Sequence, residues 1–182
     1  IDLLKSTGVK TFIIHARKAM LGKFTPKQNL NIPPLKYEMV YKLKEDFKEL
    51  DIIINGGITS VEQIKNHIKK VDGVMMGRSI YHSPYLLADI EKEIFNNEDV
   101  CSRQEVVEKL VIYLKDEIKK GTRVNQVMRH TLGLFHGQTG SNFWKRYLSE
   151  NMCVRDADIQ KVDHILDKVK LNHVTQPTGQ ID

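Results

Sequence analysis

Three short apolar runs end in residues that can do chemistry: Thr11-Phe-Ile-Ile-His15, Asp51-Ile-Ile-Ile-Asn55 followed by Gly56-Gly57, and Asp72-Gly-Val-Met-Met followed by Gly77-Arg78. Glycines at a strand end leave backbone N–H groups open to close approach by a phosphate. The guanidinium of Arg78 offers a planar fork that can hold two oxygens of such an anion. His15 can hydrogen-bond a cofactor ring or a phosphate, or serve as a satisfied structural histidine. The alternative is that Asn55-Gly56-Gly57 is only a tight turn and Arg78 a surface ion-pair partner. The two glycine sites follow consecutive strands, as in the phosphate pocket made by the last strand loops of a β/α barrel.

The elements that must position these residues alternate. Strands are expected over about 9–15, 51–55 and 73–77. Helices are expected over Tyr37 to Phe47, from a capping box at Ser60-Val-Glu-Gln63, and over Tyr81 to Phe95. Strand–helix alternation is the pattern of a parallel sheet with crossover helices. Between the first strand and the next helix lies a segment from Ala16 to Pro34, longer than an ordinary α/β connection and bearing Arg17, Lys18, Lys23 and Lys27.

After residue 98 the strand pattern stops. A second capping box, Ser102-Arg-Gln-Glu105, opens a helix striped by Val106, Val107, Leu110, Val111, Leu114 and Ile118 and broken at Gly121. Further helices are expected over Val124 to Phe135, Asn142 to Leu148 and 159–169. The fold class is therefore α/β, with a partial TIM (β/α)8 barrel of three β/α units over 1–98 and an all-α bundle over 99–170. Residues 171–182 are expected to form a disordered tail.

In the helical part, Arg123, Arg129, His130, Lys145 and Arg146 interleave with Phe143, Trp144 and Tyr147. Such a mixture suits a nucleic-acid backbone with stacked bases; it is also what a solvated basic face around a core tryptophan looks like. The formal net charge is +5, which mildly favours an anionic partner. Cys101 and Cys153, the only cysteines, form neither a disulfide framework nor a zinc pattern, and no metal site is expected. No apolar run is long enough to span a membrane, so a cytoplasmic protein without membrane partner is expected. The length falls short of a complete eight-stranded barrel and the chain starts without Met, so an upstream part is expected to be missing.

Several segments together resemble the tRNA-dihydrouridine synthases, the A subfamily in particular. They are His15-Ala-Arg-Lys-Ala19, Pro26-Lys-Gln-Asn29, Ile32-Pro-Pro-Leu35, Asn55-Gly-Gly-Ile58, Val71-Asp-Gly-Val-Met75, Gly77-Arg78, Tyr81-His-Ser-Pro-Tyr85, Arg129-His130, Gly133-Leu-Phe135, Gly137 and Trp144-Lys-Arg-Tyr-Leu-Ser-Glu-Asn151. The resemblance covers nearly the whole chain except the tail. It implies the end of a flavin barrel followed by a helical tRNA-binding domain. It implies FMN, reduced by NADPH, and hydride transfer to a uridine of the tRNA D-loop at positions 20 and 20a.

By motif match His15 would contact FMN, while Asn55, Gly56, Gly57, Gly77 and Arg78 would hold its phosphate. Arg17, Lys18, Lys27, Gln28, Arg129, Lys145 and Arg146 would face tRNA. Leu30 stands where the family pattern calls for a basic residue. The family's proton-donor cysteine belongs to an upstream loop, so no catalytic residue is expected in this chain and the chain alone is expected to be inactive. The full-length enzyme is expected to be a monomer. Two other readings remain: a small-molecule FMN oxidoreductase on the same barrel, and a non-catalytic RNA-binding module.

Overall fold

The structure is a computed structural model that describes residues 1–152 and His164. The helix expected over 159–169, Cys153 and the tail lie outside the described residues. The chain divides into two compact units between Ser79 and Ile80, within the short helix α5 described below.

The first unit runs α1 (Asp2–Lys5), β1 (Thr11–His15), α2 (Pro26–Asn29), α3 (Tyr37–Asp46), β2 (Asp51–Asn55), α4 (Val61–His67) and β3 (Gly73–Met75). The strands form one parallel sheet in the order β1-β2-β3. The register pairs Phe12 with Ile52, Ile14 with Ile54 and His15 with Asn55, then Ile54 with Val74 and Asn55 with Met75. Side chains alternate between the two faces of a strand. On one face Phe12, Ile52 and Ile54 are buried, together with Val40 of α3 and Val61 and Ile64 of α4.

The other face is open. Ile13 is 59% exposed, while its neighbour Phe12 is buried. The strand also starts at Thr11 rather than at Val9, which is exposed. At the opposite end of the sheet from His15, Asp72 accepts the Ile52 N–H at 2.8 Å and pairs with Lys44 at 2.9 Å. Burial pushes its carboxyl up, but these hydrogen bonds and the Lys44 charge outweigh that and leave it below the ordinary range.

Two expected helix starts are capped. The Ser60 side chain accepts the Gln63 N–H, although the Gln63 carboxamide accepts from Thr59 rather than from Ser60. Ser102 and Glu105 form the reciprocal box. A third box, Thr25 with Gln28, folds α2 inside what the sequence presents as a featureless loop.

The second unit carries α6 (Leu86–Phe95), α7 (Arg103–Lys119), α8 (Val124–Met128) and α9 (Ser141–Asn151), and α5 (Arg78–His82) straddles the division. The single helix expected over Tyr81 to Phe95 is thus two. Pro84 supplies no backbone N–H and pushes Ser83 out of the helical region, which splits it. The helix expected over Val124 to Phe135 ends at Met128, and turns carry the chain to Gly140. One buried cluster joins Val107, Val111 and Leu114 of α7, Val124 and Met128 of α8, Leu134 and Phe135, and Trp144 and Leu148 of α9.

His67 is the one buried polar residue among the described residues, at 5% exposure. Its Nδ1 hydrogen-bonds the Tyr41 hydroxyl at 2.8 Å, and the Tyr37 ring meets it edge-on. Burial, aided by the Lys70 charge, lowers its pKa below the ordinary 6.5. The folded protein therefore binds fewer protons at this site than the unfolded chain below pH 6.5, so this contribution to stability is present above that pH and is lost on acidification. Urea unfolding is expected to show the midpoint falling from pH 7 to pH 5, with a shallower fall in His67→Gln.

Candidate functional site

The register places His15 and Asn55 side by side at the carboxyl end of the sheet, and their side chains meet at 2.7 Å. The Asn55 carboxamide is fixed by its other end, because Nδ2 donates to the Met75 carbonyl at 2.8 Å. Its Oδ1 must therefore accept, and His15 Nδ1–H donates. That leaves Nε2 of His15 as a lone-pair acceptor in the neutral ring. The atom is buried and has no partner within the protein. An orphaned buried polar atom at a strand end is what a ligand donor would satisfy.

The turn after β2 uses conformations that favour glycine: Gly56 has φ +124° and Gly57 φ +68°. A Cβ on Gly57 would sit 2.7 Å from Leu35 Cδ1, and one on Gly56 3.0 Å from Leu35 Cδ2. The Tyr37 hydroxyl donates to the Gly56 carbonyl at 2.7 Å. At the next strand end Gly77 faces open space, and Ser79 ties back by donating from its hydroxyl to the Ile58 carbonyl at 2.9 Å. His15, Asn55, Gly56, Gly57, Gly77 and Arg78 thus line one rim of the first unit. A cleft of about 370 Å³ beside the end of β1 is lined by His15, Arg17, Lys18 and Met39 among others.

The rim fits a phosphate-bearing cofactor: an unpaired imidazole nitrogen, a glycine turn with Gly57 exposed and a guanidinium, on consecutive strand ends. Arg78 is partly engaged, since its Nη1 donates to Asn31 Oδ1 at 2.6 Å and Nη2 to the Leu30 carbonyl at 3.4 Å.

The residues expected to face RNA divide into two groups. Lys18, Lys27, Arg129, Lys145 and Arg146 are exposed. Arg17 and Gln28 have structural partners. The Arg17 guanidinium donates to the Pro33 carbonyl, and its backbone bridges Leu35. The Gln28 carboxamide accepts the Thr25 N–H within the α2 capping box. Arg129 Nε donates to His130 Nε2 at 3.1 Å, and Tyr81 meets the other nitrogen of that ring at 3.0 Å. Trp144 is no stacking platform: it is 3% exposed, and its indole N–H donates to the Thr131 carbonyl at 2.9 Å.

Tyr37, Leu35 and Asn31 also touch the rim, through Gly56, the glycine turn and Arg78, and sequence reasoning did not single them out there. Of the three only Leu35 figured in it, as the end of the Ile32-Pro-Pro-Leu35 segment. Cys101 lies in the second unit, where its sulfur accepts from Lys109 Nζ at 2.9 Å. Among the described residues no helix is long and apolar enough to cross a membrane, and no three His, Cys, Asp or Glu side chains cluster as a metal site.

A family model described as dihydrouridine synthase (Dus) matches residues 1–170. The chain is 44% identical over 158 residues to the tRNA-dihydrouridine(20/20a) synthase of Synechocystis sp., covering 86% of this chain and 47% of the relative. It is 46% identical over 156 residues to the protein of that name from Haemophilus ducreyi, covering 85% and 48%. For that of Shewanella oneidensis the figures are 44% over 177 residues, 97% and 53%. The chain spans about half the length of these curated relatives.

Proposed function

Because this chain belongs to the dihydrouridine synthase family, we propose that it is part of an FMN-dependent, NADPH-driven tRNA-dihydrouridine synthase acting on D-loop uridines at positions 20 and 20a. The observation that carries the reading is the shared rim, where His15, the Asn55-Gly56-Gly57 turn and Arg78 follow strands in direct register. In this proposal the three strands belong to a flavin-binding (β/α)8 barrel, and the helices from α7 onward form a tRNA-binding bundle. The protein would work in the cytoplasm as a monomer. The proton donor to the uridine ring is placed on a residue outside this chain.

Bound FMN would supply the hydride chemistry, with NADPH as its reductant. The chain's own part is binding and orientation. Backbone N–H groups at Gly56, Gly57 and Gly77, with Arg78, would hold the phosphate. His15 Nε2 would accept a hydrogen bond from the cofactor and fix its angle to the rim. A uridine must leave its stack to reach this surface, at a cost of about a few kcal/mol. Exposed cations, Lys18 and Lys27 in the long loop and Arg129, Lys145 and Arg146 in the helical unit, would offset that through phosphate contacts.

The test is dihydrouridine formation in a tRNA transcript by the protein expressed from its complete gene, with FMN and NADPH supplied. Site mapping by reverse-transcription stops should find the product at 20 and 20a; product elsewhere or none contradicts the reading. In the same assay Arg146→Ala is expected to raise the KM for tRNA by about tenfold, the loss of one charged contact of about 1.4 kcal/mol, with flavin content unchanged. Equal KM values for variant and parent remove Arg146 from the RNA surface.

A further inference from the structure

The long segment between β1 and α3 is held at four points, the first of them internal to it. Asn29 folds it on itself, with Oδ1 accepting the Met20 N–H at 2.8 Å. Arg17 grips the Pro33 carbonyl from the end of β1. The Lys36 N–H donates to the Ala16 carbonyl at 2.7 Å, which seats Leu35 against Gly56 and Gly57. The fourth point is Arg78, 47 residues away in sequence from Asn31, whose Oδ1 accepts from Nη1 at 2.6 Å.

The Asn31 side chain is itself oriented. Its Nδ2 donates to the Lys27 carbonyl at 3.3 Å, so Oδ1 is the end left for Arg78. A guanidinium has five N–H donors in a planar fork. Among the described residues only the two Nη tips of Arg78 are engaged, by Asn31 and the Leu30 carbonyl. The Nε–Nη edge keeps its donors, and that edge can take two phosphate oxygens while the tips stay on the loop. Arg78 can therefore hold loop and anion at once.

We propose that Asn31 is a positioning residue of the cofactor site: it fixes the Arg78 guanidinium for the phosphate and thereby makes cofactor binding and seating of the loop one coupled event. The inference rests on the FMN reading above. Coupling is reciprocal, so whatever factor the seated loop adds to FMN affinity, FMN returns to loop closure. The loop also carries exposed Lys18, Lys23 and Lys27, so a protein loaded with cofactor would present these cations in one arrangement.

The test uses the complete protein, stripped of flavin and titrated with FMN by quenching of flavin fluorescence, alongside limited trypsin cleavage at Lys23 and Lys27. In the parent, saturating FMN is expected to slow cleavage in the loop by at least about fivefold, the lower range of common coupling factors. Asn31→Ala is expected to weaken FMN binding by about tenfold, as for loss of a bond to a charged donor, and to abolish most of the protection. Asn31→Asp, whose carboxylate can accept from the same guanidinium, should restore both.

A parent that binds FMN while Asn31→Ala binds it equally well overturns the inference alone. Equal losses in Asn31→Ala and Asn31→Asp also overturn it, because they assign Asn31 to loop folding through its bond to Lys27. A parent that binds no FMN overturns the functional reading and this inference with it.

Discussion

Gly133→Ala is expected to destabilise the second unit by about 3 kcal/mol, at the upper end of ordinary overpacking. A Cβ at this position would lie 2.1 Å from the His82 carbonyl oxygen and 2.7 Å from its carbon, with Pro84 Cδ at 3.2 Å. The first two contacts are backbone, so no rotamer change relieves them. Gly133 lies in the turns that follow α8, directly before Leu134 and Phe135 of the buried cluster. Displacing the chain there drags both side chains from the core that Trp144 and Leu148 complete. Urea unfolding monitored by Trp144 fluorescence is expected to show a lower midpoint with little change in slope. An unaltered midpoint would mean that the α5–α6 junction does not press on this turn.

The second large effect is expected at Gly57. Alanine there must adopt φ +68° and places its Cβ 2.7 Å from Leu35 Cδ1. A non-glycine residue in such a conformation costs about 1–3 kcal/mol, and the clash adds to it. The turn is expected to reorganise rather than bear both, so the arrangement of N–H groups proposed to hold the phosphate is lost. FMN affinity should fall by about tenfold or more, since each 1.4 kcal/mol is one decade. Adding Leu35→Ala to Gly57→Ala removes the clash and leaves the conformational strain, so the double variant should recover part of the affinity. Full FMN affinity in Gly57→Ala would show that the turn does not contact the cofactor.

Much of the rim was legible because it rests on short-range signals. A β-branched run followed by Asn-Gly-Gly marks a strand and its turn, and parallel pairing then aligns His15 with Asn55 without further information. What was not legible depends on contacts distant in sequence. The engagement of Arg78 by Asn31 spans the whole of α3, β2, α4 and β3, and no local pattern announces it. The exposure of Ile13 follows from which sheet face the helices cover, which alternation alone does not decide.

Other differences had a local cause that was present in the letters. Thr25-Pro-Lys-Gln28 is a capping box with proline in the first turn, and it engages the Gln28 side chain at the start of α2. Pro84 interrupts an apolar stripe that looks continuous from Tyr81 to Phe95. For α8 the apolar spacing runs on past Met128, and tertiary packing overrides it: the chain turns so that Leu134 and Phe135 reach the same core as Trp144. That core position is also why cations around Trp144 do not make a stacking surface of the indole.

Whether the rim seats a flavin mononucleotide is measured most directly by the FMN content of the protein expressed from its complete gene, read from flavin absorbance after gel filtration. Near-stoichiometric FMN in the parent, released from Arg78→Ala, is the result expected. A parent that neither retains nor takes up FMN, or an Arg78→Ala variant that holds it as tightly as the parent, contradicts it.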